Sequence, residues 1–90
     1  MNDGNSVEQM LLDEGYEDVK YLVNYSYDDA LIGVTTDNRA VYDYDKMVEW
    51  LMKVEGMDSL EAMEWIDYNT IRALPYMGED APIIMYSLEK

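Results

Sequence analysis

Cysteine and histidine are both absent from this chain of 90 residues, and the two absences narrow its chemistry at once. Without cysteine there is no disulfide framework and no thiolate metal site, so the fold must rest on packing. Without histidine the commonest general base and metal ligand are missing, which excludes Ser-His and Cys-His nucleophiles. Positive charge is scarce: six Lys and Arg stand against twenty Asp and Glu, a formal net charge of −14 with pI near 4.1. A field of that sign repels nucleic acid and anionic membrane surfaces alike. No apolar run approaches the ~20 residues that a spanning helix needs, and the opening MNDGNSVEQM lacks the basic and apolar regions of a signal peptide, so a cytoplasmic location is expected.

What is present is apolar enough to fold. Hydrophobic residues make up 49% of the chain, too many for an acidic disordered tail, and the length suits one domain over residues 1–90 with a single core. Val7, Met10 and Leu11 follow helical spacing after a capping Ser6 and before Gly15, which predicts a helix over 6–14. VKYLVNY, rich in β-branched and aromatic residues, predicts a strand near 19–25. ALIGVTTDNRAVYDY reads as a hairpin turning on Asp37 and Asn38, with Val34 opposite Val41 and Gly33 opposite Tyr42.

Asp43 can cap a helix whose stripe is Tyr44, Met47, Val48, Leu51 and Met52, ended by Gly56. Asp58, three residues before Glu61, opens a third helix that Pro75 stops, and IIMY near the C-terminus suits a closing strand. The predicted fold class is α+β: a small antiparallel sheet, a hairpin plus one or two further strands, packed against about three helices.

No catalytic, metal-binding or cofactor site is expected. Twenty acids place some carboxylate pair at any chosen separation by chance, and Asp43-x-Asp45 begins like a calcium loop but has no glycine at its sixth position. With nine Tyr and no Phe, nearly every large ring carries a hydroxyl, which suits half-wet contact positions. Tyr25, Tyr27, Asp28, Asp29, Tyr42, Asp43, Tyr44 and Asp45 are therefore the candidate partner-binding residues, with plain strand preference as the simpler reading of the tyrosines. The fourteen residues Trp65 to Gly78 hold only two charges, Asp67 and Arg72. A helix so apolar predicts burial on more than one side, with Asp67, Asn69, Thr70 and Arg72 as a polar bracket tying the helix end to the turn PYMGEDAP.

Two blocks, AVYDYDKMVEWLM and EAMEWIDYNTIRALPYMGEDAPIIMY, resemble short acidic proteins of low-GC Gram-positive bacteria and their phages and mobile elements, a group with no assigned activity. Such genomes encode small acidic inhibitors of the anti-restriction and anti-CRISPR type, which imitate the charge of DNA. The resemblance itself carries no activity over; the charge calls for a basic protein partner and no direct contact to nucleic acid or membrane, and the source adds the hypothesis of a non-enzymatic nucleic-acid mimic that inhibits a basic nucleic-acid-binding enzyme. The alternative expectation is a self-associating structural or regulatory protein, such as a homodimer, whose acids serve only solubility.

Overall fold

A computed structural model describes residues 6–22 and 25–88. The chain forms α1 (Ser6–Asp13), β1 (Leu31–Val34), β2 (Ala40–Asp43), α2 (Tyr44–Val54), α3 (Ser59–Trp65) and β3 (Ile83–Met85). Short 3₁₀ turns occupy Asp28–Ala30 and Leu74–Met77, and a π-helical turn over Ile66–Ile71 continues α3. The fold is α+β: a three-stranded sheet ordered β1-β2-β3 with three helices.

The helices begin and end where local chemistry demands. Asp43 accepts a hydrogen bond from the Lys46 amide at 3.2 Å and opens α2, and Asp58 accepts from the Glu61 amide at 2.7 Å and opens α3. α1 closes in a Schellman motif around Gly15 (φ +87°): the Tyr16 amide reaches the Leu11 carbonyl at 2.8 Å and the Gly15 amide the Leu12 carbonyl at 3.0 Å. Four residues of the α2 stripe, Tyr44, Met47, Val48 and Leu51, turn inward, whereas Met52 is exposed. Met47, Leu51 and Ile66 are fully buried, each worth roughly 1.5–3 kcal/mol of apolar transfer. They share one core with Val7 and Leu11 of α1, Val19, Leu22, Tyr27, Ala30, Tyr42 and Ala62.

Four expectations are corrected, the last of them the burial of the segment after Trp65 on more than one side. The hairpin register is shifted, with Val34 opposite Ala40, Gly33 opposite Val41 and Leu31 opposite Tyr42, because the loop holds three residues rather than two. Thr35 donates its amide to the Arg39 carbonyl at 2.8 Å, and only Asn38 between them is left-handed (φ +65°), where a type I′ turn would need two such residues. A bulge between Leu31 and Gly33 takes up the rest of the difference.

The strand expected near 19–25 is not formed over 19–22 or at Tyr25, and residues 23–24 lie outside the described residues. The Leu22 amide is satisfied by the Tyr42 hydroxyl at 3.0 Å instead of a strand ladder. In addition, β3 joins the sheet parallel to β2, so the sheet is mixed rather than antiparallel. The connection through α2 and α3 supplies the long crossover that a parallel pair needs.

The segment after Trp65 is buried on one side only. Ala62, Ile66 and Thr70 are buried, while Leu60, Asp67, Tyr68, Asn69 and Arg72 are exposed. In an uninterrupted α-helix the face through Ala62 and Ile66 would continue at Asn69 and Ala73, at about 100° per residue. The π turn adds one residue, so that face continues at Thr70 and half-buried Leu74, and Asn69 and Ala73 swing out to water.

Candidate functional site

The eight residues singled out by the sequence divide into three groups. Tyr27, Tyr42, Asp43 and Tyr44 are buried, Tyr25, Asp28 and Asp45 are half-buried, and Asp29 is exposed. Tyr25 and Tyr27 sit in left-handed backbone (φ +100° and +51°), and their rings enter an aromatic cluster. Tyr25 lies 4.7 Å from Trp65 and 6.0 Å from Trp50 between ring centroids, and Tyr27 lies 5.4 Å from Trp50 and 6.5 Å from Tyr42. These spacings are those of favourable tilted and edge-to-face pairs.

Each buried hydroxyl has found a protein partner. Tyr27 and Thr70 share a hydrogen bond at 3.0 Å, Tyr42 accepts from the Leu22 amide, and Tyr44 donates to an Asp67 carboxylate oxygen at 3.2 Å. Burial pushes the Tyr27 phenol upward, partly offset by its bond to Thr70. Burial likewise pushes Tyr42 up to about 12. Tyr44 also rises to about 12, through burial and then the adjacent Asp67 charge. These three rings are thus neutral pillars of the core, and Asp43 is the cap of α2. Of the eight, only Asp29 is exposed, in a groove it shares with Lys46, Glu49, Trp50 and Lys53; one carboxylate oxygen of half-buried Asp28 is buried without a hydrogen-bond partner.

Of the four bracket residues two reach other elements of the fold and two make local contacts, and these contacts run to Tyr44, Tyr27, Trp65 and Tyr68 rather than to the turn over 75–82. Asp67 ties the π turn to α2 through Tyr44, Thr70 ties it to Tyr27, Asn69 donates to the Trp65 carbonyl of its own helix at 3.1 Å, and Arg72 lies over the Tyr68 ring at 5.5 Å. The turn over 75–82 is held by residues that sequence reasoning passed over. Lys20 donates to the Met77 carbonyl and forms an ion pair with Asp80 at 2.8 Å, and Arg39 donates to the Ala81 carbonyl at 2.8 Å. Lys20 also holds the exposed Asp80 carboxyl below its ordinary range. In so acidic a chain the scarcity of bases was itself the available signal: each is an anchor worth tracing.

Besides the groove of about 310 Å³ that Asp29 shares with Lys46 and Lys53, there are two further concave features. A cleft of about 270 Å³ beside the π turn is lined by Leu22, Tyr25, Tyr27, Asn69, Thr70, Ala73 and Met77. A groove of about 300 Å³ runs between the end of α1 and β1, lined by Met10, Leu11, Glu14, Tyr16 and residues Leu31 to Val34. Around them exposed acids gather: Asp13 at the end of α1 with Glu14, Glu17 and Asp18 after it, and Glu61, Glu64 and Asp67 along α3 and the π turn. Among the described residues no group of three or more Asp and Glu is placed to hold a metal ion, and no helix is long and apolar enough to cross a membrane. Comparison with protein-family models, with curated proteins and with solved structures finds no match to this chain.

Proposed function

We propose that this is a non-enzymatic protein-binding protein whose acidic surface docks on the basic groove of a nucleic-acid-binding enzyme and stands in for nucleic acid there. The observation that carries the reading is where the few cations go. Lys20 and Arg39 are engaged by the 75–82 turn, Arg72 lies on Tyr68, and Lys46 and Lys53 line a groove of α2 with Asp29 and Glu49, so these charges are held locally. The acids after α1 and outside α3 are left without compensation from them, and an uncompensated surface of one sign accelerates association with an opposite one. Size also fits. Fourteen net charges equal those on about 24 Å of duplex at ~1.7 Å per charge, within a molecule of 35 × 32 × 27 Å.

The test is affinity capture on the immobilised protein from a bacterial lysate at low ionic strength, followed by elution with salt or with duplex DNA. A basic nucleic-acid-binding protein released by both agents is the expected result. An empty eluate, or retained proteins indifferent to both, overturns the proposal.

A further inference from the structure

β1 is the terminal strand of the sheet, paired with β2 alone, so its outer edge has no strand partner among the described residues. An open edge is a template for another extended chain, and native proteins usually blunt or cover one. Here the edge borders the groove at the end of α1, and exposed apolar side chains gather there: Met10, Tyr16 and Ile32 are 42%, 38% and 44% exposed. Gly33 leaves open space above the strand, with nothing within 4 Å of where a Cβ would sit. Solvated apolar groups clustered beside unpaired backbone mark a surface that gains by being covered.

The charge around the groove selects its occupant. Glu14 lines it, and its neighbours Asp13, Glu17 and Asp18 are exposed, with no base from Ser6 through Val19. A second copy of the chain would bring the same acids against these, and like charges brought together oppose that pairing. An incoming strand bearing Lys or Arg would be attracted by the same groups. We propose that the β1 edge and the α1 groove bind an extended basic segment of a partner protein by strand addition, its alternate apolar side chains entering the groove and its Lys or Arg side chains meeting Glu14 and Glu17. The proposal rests on the acidic surface being a docking surface and names which part of it docks.

A synthetic peptide of alternating Lys and Val, titrated into the isotopically labelled protein and followed by amide NMR, tests it. Saturable shifts confined to residues 10–18 and 31–34 are expected, with slowed hydrogen exchange in β1. Each exposed charge contact is individually weak, so the double variant Glu14→Lys/Glu17→Lys, which removes two, should bind on the order of tenfold more weakly. Ile32→Lys should weaken binding as well, and Glu61→Lys/Glu64→Lys on α3 should leave it nearly unchanged. If the peptide binds in a salt-sensitive way but responds only to the α3 variant, the edge assignment is wrong while acidic docking stands. Failure of the peptide to bind at low salt overturns the edge assignment; joined to an empty capture experiment, it removes acidic docking too. Concentration-dependent shifts in β1 without peptide would identify a second copy as the occupant and equally reject the proposal.

Discussion

Replacing Thr70 by valine isolates what the π turn accomplishes. The substitution keeps the shape of the side chain but removes the hydroxyl that meets Tyr27 at 3.0 Å. Tyr27 is 1% exposed, so its hydroxyl would then be buried with nothing to bond, at a cost of about 2 kcal/mol. For a domain of this length that is on the order of 10 °C in Tm. The reciprocal change, Tyr27→Phe, should cost less than about 1 kcal/mol, because a threonine hydroxyl in a helix can turn to a carbonyl of the preceding turn. Removing both hydroxyls leaves no orphan, so the double variant should be more stable than Thr70→Val alone. Urea unfolding followed by tryptophan fluorescence reads all three, since Trp50 and Trp65 lie against Tyr27 and Tyr25. If Thr70→Val falls within about 0.5 kcal/mol of the parent protein, or the two losses simply add, the buried pair is not what holds the π turn.

Other expectations follow from the same contacts. Tyr42 and Tyr44 keep their protons to about 12 in the folded chain, whereas the unfolded chain releases them near 10; the unfolded state then binds fewer protons, so stability is intact below pH 10 and falls between about 10 and 12, and Tyr42→Phe should flatten that fall in urea titrations. Asp43→Ala should cost about 1 kcal/mol through loss of the α2 cap, whereas Asn69→Ala, at an exposed position, should stay within about 0.5 kcal/mol by thermal melting. Added NaCl should raise Tm by screening the self-repulsion of −14 charges, and a Tm indifferent to salt would show that the acids do not strain the fold.

Much of the architecture was legible in the residues. The α2 stripe with Asp43 before it and Gly56 after it left little choice, and Asp58 and Gly15 marked a helix start and a helix end by the same capping chemistry. The register of the hairpin was not legible, because Asp37-Asn38 admits both a two-residue and a three-residue loop and only backbone geometry distinguishes them. Nor was the π turn, since the helix gains its extra residue in order to place Thr70 against Tyr27, forty-three positions away in sequence. The tyrosines misled for a related reason. A phenol reads as half-wet until its bonding partner is known, and here a backbone amide, a threonine and an aspartate let Tyr42, Tyr27 and Tyr44 go inside. The open β1 edge and its acidic groove emerged only once α1 and β1 were seen side by side.

The central claim, that the acidic surface is what binds, is tested most directly by the dissociation constant for the captured partner, measured from about 50 to about 500 mM NaCl. A steep loss of affinity with rising salt, abolished when the exposed acids after α1 and on α3 are neutralised to their amides, is the outcome the account requires. An affinity that holds constant across that range would contradict it.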